Sequence, residues 1–395
     1  MAFRFPSELT ELIYEQVLQL VPSRLRLKFK NQGLSKMQSL SFFAPGLLEL
    51  SEAFTSERSA RRLNYLQKPP FRSAYLLYFL PINYAKAFYV LEKIPPIFWK
   101  QDHYRFLDLG AGPATASLAF LAKLAKENPK ASVEIDLVDY NKGILEDGEA
   151  LVKKYAEALA LKGKISIKTF QQDLYAFKSR EAYDLVFFHH VLNESRVRNS
   201  FELYESLRVF CQGLLKASGL LMIIEPALHR PTRNLMLLRD LWIKETAFKV
   251  LAPCLHQEAC PMLEAHPRDW CHFYVDWEAP AFIKDLSVLI KRDNRRLKLA
   301  YLLLSQDPSY LPKVLPQDFL VVSNPIHQGR ERQSLVCGFK GFYRLNALEG
   351  LSLPHLKRGD LIRLNLKRPL SKTFVKKARL SFKKGDKLEF LKGSS

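Results

Sequence analysis

Long apolar runs are missing from this chain: no uninterrupted apolar stretch approaches ~20 residues, so a membrane-spanning helix is not expected. Cysteine is scarce, with five in 395 residues. The first dozen residues have neither the apolar core of a secretory leader nor the acid-poor, Arg- and Ser-rich pattern of a transit peptide. A disulfide framework is therefore not expected, and a reducing cytoplasm is. Acidic residues are the third shortage: 40 Asp and Glu face 60 Lys and Arg, a formal net charge of +20. Such an excess steers a protein toward polyanions, RNA being the commonest soluble one; a solvated basic surface is the plainer alternative. The excess is uneven, since fifteen Lys and Arg face four Asp and Glu from residue 338 onward. The rest, 48% apolar and 25% charged, is ordinary for a soluble globular chain, and the length suits two or three domains.

Up to about residue 95 the pattern predicts mainly helices, beginning at 7–18 with a capping serine and apolar residues at helical spacing. Arg24, Arg26, Lys28 and Lys30 alternate with Leu25, Leu27 and Phe29, which predicts a strand or an extended arm. Pro69 and Pro70 interrupt, and residues 74–92 resume as an apolar helix pair. From about residue 104 strands alternate with helices: strands over 105–109, 133–139, 165–170, 183–189 and 219–225, with helices over 114–126, to about 162, and before the last strand. Alternation of this kind predicts a parallel sheet covered by helices, a doubly wound α/β fold. Residues 297–304 read as a returning strand of that sheet and 334–339 as a later one. The weak echo at 357–362 and 384–389 reads as two turns, each entering a short strand. The expected domains are an N-terminal helical domain over 1–95, an α/β domain over 96–345 with a cysteine-rich insertion at 251–295, and a basic, β-rich, OB-like module over 346–395.

The strand at 105–109 runs into Asp108-Leu-Gly110-Ala-Gly112-Pro-Ala-Thr, a glycine turn that opens a helix. Gly110 permits the tight turn and Gly112 lets the backbone approach a ligand. Dinucleotide-binding and methyltransferase folds both use such a turn. Asp108 before the first glycine, and the missing third dinucleotide glycine, favour S-adenosylmethionine over NAD. Asp139 ends the next strand, where a carboxylate can take both ribose hydroxyls, and Asp173 follows the third, where it can meet an adenine amino group. His189, His190, Asn193 and Glu194 follow the fourth, on the methyl-acceptor side. For any one of these the bland alternative is a satisfied surface carboxylate or a buried histidine; their order at successive strand ends supports a Rossmann-like class I methyltransferase fold.

Cys254, Cys260 and Cys271 fall within eighteen positions, beside His256, His272 and several prolines. Cysteines usually scatter singly through cores, so this cluster predicts a thiolate-held metal centre. Cys211 lies on an apolar helical stretch and is expected to be buried and inert.

Five motifs between about residues 73 and 337 resemble the Rsm22 family, the methyltransferase-like proteins of the bacterial and mitochondrial small ribosomal subunit. They are Ala74-Tyr-Leu-Leu-Tyr-Phe-Leu-Pro81, the Asp108 to Pro113 turn, His190-Val-Leu-Asn-Glu194, Ile224-Glu-Pro226, and Ala-Pro-Cys254 with Cys260 and Trp-Cys271-His-Phe. The resemblance implies S-adenosylmethionine at Asp108, Gly110, Gly112, Asp139, Asp173 and His189. It also implies a [4Fe–4S] cluster on Cys254, Cys260, Cys271 and Cys337. Thiolates select iron–sulfur clusters or zinc. Gaps of five, ten and sixty-five residues lack the short pairs of zinc knuckles and favour the cluster, with zinc as the alternative and His256 or His272 as an alternative ligand. The implied partners are small-subunit rRNA and proteins, with no membrane, for a chain that works as a monomer in the bacterial cytoplasm or, alternatively, the mitochondrial matrix.

Two functions are left standing. One is an rRNA methyltransferase in which His190, Asn193 and Glu194 orient the acceptor base. The other is a non-catalytic ribosome-biogenesis factor, since an Asn/Asp-Pro-Pro-Tyr/Phe turn is missing after the fourth strand. A radical enzyme would need a tight Cys-x3-Cys-x2-Cys run, which is missing as well.

Overall fold

Strand β2 (His103–Leu109) is buried at every position but its first, which suits a strand covered on both faces. With β3 (Ser132–Asp139), β4 (Ile165–Gln171), β5 (Tyr183–His189) and β6 (Leu215–Glu225) it forms a parallel array in the order β4-β3-β2-β5-β6. The chain steps outward from β2 to β4, then returns to lay β5 on the other side of β2. That reversal makes a topological switch point between β2 and β5, where open α/β sheets bind ligands beyond the strand ends. The structure, a computed structural model, describes residues 2–32, 40–55, 65–192, 200–328, 331–347, 351, 353–370 and 373–391. Two compact units divide it: residues 2–224 with 275–297, and 225–274 with 298–395. Among the described residues no helix is long and apolar enough to cross a membrane.

In the first unit Leu9, Ile13 and Val17 recur every fourth residue on α1 (Ser7–Leu20) and are fully buried, an apolar stripe that docks the helix. Residues 23–32, expected as a strand or extended arm, form helix α2 (Ser23–Gln32). Leu, Arg and Lys are strong helix formers, and among the described residues no strand pairs with this segment to reward the two-residue alternation: Phe29 is buried while Leu27 stays 69% exposed. Helix α3 (Ala44–Thr55) follows. The helix pair expected over 74–92 is one continuous run, α4 (Pro69–Ala74), a π turn at Tyr75–Phe79, and α5 (Leu80–Leu91). Pro81 cannot donate backward and its ring crowds the carbonyl of Leu77, and the wider π turn relieves this. Helix α6 (Thr115–Glu127) links β2 to β3, α7 (Lys142–Ala158) links β3 to β4, and α8 (Ser200–Gln212) precedes β6. One buried ion pair ties the helices together. Arg72 Nε donates to Asp147 Oδ2 on α7 at 2.8 Å, while Gln16 of α1 donates to the other oxygen at 2.8 Å. The N-terminal strand β1 (Phe3–Arg4) pairs in parallel with β8 (Phe273–Glu278) through Trp277 and Glu278.

In the second unit α9 (His229–Glu245) precedes β7 (Lys249–Ala252), which runs antiparallel to β9 (Arg296–Ser305). The cysteine-rich stretch includes β7 and a short helix, α10 (Pro261–Ala265). A second sheet has the order β15-β13-β12-β10-β14-β16. Its strands are β10 (Asp318–Val321), β12 (Glu331–Gly338), β13 (Gly341–Ala347), β14 (Leu361–Asn365), β15 (Val375–Phe382) and β16 (Lys387–Phe390), with β11 (Ile326–Gln328) beside β12. Residues 334–338, expected in the parallel sheet, belong here instead. A two-residue turn at Phe339 and Lys340 pairs Gly338 with Gly341 and forces β12 antiparallel to β13. The two echoed turns do enter strands. Asp360 accepts the Lys357 N–H and Asp386 the Lys383 N–H, ahead of β14 and β16, which pair with each other.

Candidate functional site

The glycine turn closes over the end of β2 through three left-handed residues, Gly110 (φ +67°), Gly112 (φ +51°) and Ala114 (φ +57°). The two glycines differ in kind. A Cβ at Gly110 would lie 2.5 Å from Cγ2 of Val191, so this glycine lets the turn pack on the segment after β5. A Cβ at Gly112 would meet nothing within 4 Å, so this is the open side of the turn. Asp108 is 1% exposed and accepts both the Ser117 N–H (3.1 Å) and its hydroxyl (2.7 Å), which fastens the start of α6 to β2. Burial pushes its carboxyl up to about 7. Asp139, at the end of β3, accepts Gly112 N–H on Oδ2 (2.9 Å) and Asn141 N–H on Oδ1 (2.8 Å). Burial raises it to about 6 against those two backbone donors. Asp173 is exposed and caps a short 3-10 turn by accepting Tyr175 N–H.

At the switch point His190 follows β5 in a left-handed conformation (φ +60°), its N–H bonded to Ile224 O at 2.8 Å. The His189 and His190 ring centroids lie 4.7 Å apart. Burial, and then Lys86, push both imidazoles down, His189 to about 3, so both are neutral at physiological pH. Asn193 and Glu194 lie outside the described residues. Sequence reasoning missed three polar groups here. Asn141 Nδ2 and Thr115 Oγ1 are buried without a hydrogen-bond partner among the described residues, and Lys86 Nζ sits 3.3 Å from His190 Nε2. Buried orphans of this kind call for a ligand or an ordered water. Thr115 was within reach of sequence reasoning, as the first helical residue after a glycine turn.

In the second unit Cys254, Cys260, Cys271 and Cys337 all line one cavity of about 40 Å³, with Leu235, Met236, Leu320 and Val322 among its apolar walls. Burial pushes the thiols of Cys260, Cys271 and Cys337 up, Cys260 to about 12, and neighbouring thiols add to the effect. Helix α9 organises the loop around them. Arg233 donates to the carbonyls of Leu263, His266 and Asp269, Asp240 accepts Cys260 N–H, and Met236 Sδ accepts Cys271 N–H. Arg239, 1% exposed, bonds Asp240, the Glu258 carbonyl and the His256 carbonyl, and its Nε–H is unpartnered among the described residues. Four soft sulfur donors around an apolar cavity beside a buried guanidinium fit an anionic thiolate-held metal group in chemistry and charge. His256 Nε2 lies 3.6 Å from Cys337 Sγ, which keeps it near the donor set, whereas His272 stacks on Trp270. Among the described residues no three His, Cys, Asp or Glu side chains converge on one point as they would around a single ion. An open pocket of about 410 Å³ shares Cys254, Leu255 and His256 with the cavity. Cys211 is fully buried on α8, as expected.

A parallel sheet with a glycine turn and an acid-tipped neighbouring strand at its switch point defines a Rossmann-like α/β class of protein. Solved structures similar to the chain include a Listeria monocytogenes protein described as a class I S-adenosylmethionine-dependent methyltransferase. It is 12% identical, with 78% of this chain and 91% of that chain covered and a TM-score of 0.40. A methyltransferase from Thiobacillus denitrificans in complex with S-adenosylhomocysteine is 12% identical over 55% of this chain and 90% of that one, with a TM-score of 0.31. A Geobacter sulfurreducens methyltransferase, also in complex with S-adenosylhomocysteine, is 10% identical over 55% and 90%, with a TM-score of 0.30. No curated protein matches. The family model described as mitochondrial small ribosomal subunit Rsm22 matches residues 71–284, more than half of the chain, and the chain belongs to that family.

Proposed function

We propose that this protein binds S-adenosylmethionine at the glycine turn, carries a [4Fe–4S] cluster on Cys254, Cys260, Cys271 and Cys337, and methylates rRNA of the small ribosomal subunit. The observation that carries the reading is the pair of prepared sites: the Asp139–Gly112 bond at the switch point, and the cavity that gathers four cysteines distant in sequence. The family adds the small subunit. Its description supports the mitochondrial matrix over the bacterial cytoplasm as the place of action.

When bound, the sulfonium of S-adenosylmethionine supplies an activated methyl group. Asp139 accepts the ribose hydroxyls through the remaining lone pairs of its two oxygens, and Asp173 stands as the adenine contact. Asp108 acts through the turn that it fastens. His190, with Asn193 and Glu194, orients the acceptor. Arg239 offsets the negative charge of a thiolate-bound cluster. The basic strands beyond residue 346 contribute phosphate contacts to rRNA. Zinc on the same cysteines is the alternative occupant.

One observation favours the second reading, a small-subunit assembly factor that uses the donor pocket structurally. All five cysteines are committed elsewhere, four to the cavity and Cys211 to the core of α8, so a covalent cytosine-C5 mechanism lacks its nucleophile. Labelled donor incubated with the protein and small subunits from a deletion strain separates the readings. Label in rRNA supports transfer; saturable donor binding without label supports the assembly role. For the cluster, anaerobic purification should give a brown protein with about four irons per chain, lost in Cys254→Ser and Cys260→Ser. Stoichiometric zinc without iron would overturn that assignment.

A further inference from the structure

We propose that Lys86 of α5 is the counter-ion for the carboxylate at the methionine end of S-adenosylmethionine, an assignment that rests on the donor-binding reading above. The ammonium has three N–H donors. Two acceptors account for two of them, Asn83 Oδ1 at 3.1 Å and His190 Nε2 at 3.3 Å, and neither is charged, the imidazole being held neutral. Lys86 makes no ion pair among the described residues. Lys123, which is more deeply buried than the partly buried Lys86, meets both Glu92 and Glu127. Burial accordingly weighs on the Lys86 ammonium and lowers it to about 8. A partly buried cation without an anionic partner is poised to meet an anion.

Its position selects the anion. His190 is the first residue past β5, and the next residue, Val191, is the one that a Cβ on Gly110 would strike. Lys86 therefore stands at the β5 side of the switch point, one residue away from the glycine turn. Asp139, at the β3 side, already suits the ribose. A donor laid from Asp139 across the turn brings its amino-acid end toward β5. That end holds the molecule's one carboxylate, and the acids fixed around the turn, Asp108 and Asp139, would repel it. Lys86 supplies the missing positive charge, and Asn83 on the preceding turn of the same helix holds the ammonium in place.

Calorimetry with the full chain and four ligands tests this: S-adenosylmethionine, S-adenosylhomocysteine, decarboxylated S-adenosylmethionine and methylthioadenosine, which lacks the amino-acid end. The wild type should bind the two carboxylate-bearing ligands at least about tenfold more tightly than the decarboxylated one, as for a lost charge-assisted hydrogen bond. Lys86→Met should abolish that preference and leave methylthioadenosine unchanged, while Lys86→Arg should retain part of it. The wild-type comparison needs no variant, so a poorly folded substitution does not blunt the test. Equal weakening of all four ligands in Lys86→Met, or no wild-type preference, would overturn the assignment while leaving donor binding intact. Unchanged donor affinity with lost methyl transfer would overturn it in favour of a role at the acceptor. A wild type that binds none of the four would overturn the donor reading itself, and this assignment with it.

Discussion

Gly110 and Gly112 are alike in spacing arguments and different in three dimensions. A side chain at Gly110 strikes Val191 within the protein, whereas one at Gly112 enters open space. Gly110→Ala should therefore cost stability, through the clash and the left-handed backbone together, and lower the thermal midpoint clearly. Gly112→Ala should cost about 1 kcal/mol for its backbone alone, yet weaken donor binding at least as much. A Gly112→Ala variant with unchanged donor affinity would place the ligand off the open side of the turn. Asp139 gives a pH signature. Its carboxyl is raised by burial from 3.8 to about 6 in the folded protein. The unliganded fold thus binds this proton more tightly than the unfolded chain, and stability from this group falls as pH rises from about 4 through about 6. Donor affinity should move the opposite way, because the ribose hydroxyls need the ionised acid, rising about tenfold per pH unit below pH 6 and levelling above it. Asp139→Asn should flatten that rise in titrations from pH 5 to 8. The strand-end acids and the glycine turn were legible in the sequence because each is defined by its neighbours along the chain. Lys86 was not: its partner His190 is 104 residues away, and nothing local separates it from a surface lysine. Arg239 escaped for the same reason, since its role depends on the cysteines folding around it.

At the scale of elements, the parallel strands of the first unit read correctly because buried strands are apolar nearly throughout and are joined by helices with their own period. Two segments misled. The alternation at 24–30 was a helix surface, and 334–338 was a hairpin arm whose two-residue turn was hidden between two glycines. In both, the pattern was right about local periodicity and silent about the partner. The helical N-terminal region is fastened by the Arg72–Asp147–Gln16 bonds, with Asp147 4% and Arg72 16% exposed at the side chain. Removing one partner strands the other, so Arg72→Ala should destabilise by about 3 kcal/mol, whereas Arg72→Met with Asp147→Asn should recover much of the loss. Equal stability of Arg72→Ala and wild type in urea melts would mean that the pair is solvated.

For the whole molecule, a net charge of +20 predicts rRNA affinity that falls steeply with salt. Truncating beyond Leu351 is a poor way to locate the contacts. Ile362, Leu364 and Leu380 share a buried cluster with Phe319, Val321, Val336 and Leu345, so the cut would open the core of the second sheet. Substituting exposed cations leaves that core whole. Lys377, Arg379, Lys383, Lys384 and Lys387 all face solvent. Changing all five to Gln should reduce the slope of log affinity against log salt by up to about 4.5, at roughly 0.9 for each phosphate no longer neutralised. An unchanged slope would make these strands a solubilising surface and direct the search to other basic faces.

The pairing of β1 with β8 has a consequence for synthesis. Arg4 and Glu278, joined at 2.8 Å, are separated by 274 residues of chain. At about 5–20 residues per second, β1 waits roughly a quarter of a minute to a minute for its partner. Strand β1 therefore leaves the translating ribosome unpaired, and remains so until β8 has been made. Cys337 is the last of the cavity's four cysteines to be made. The thiol set is thus incomplete in any chain released before that point.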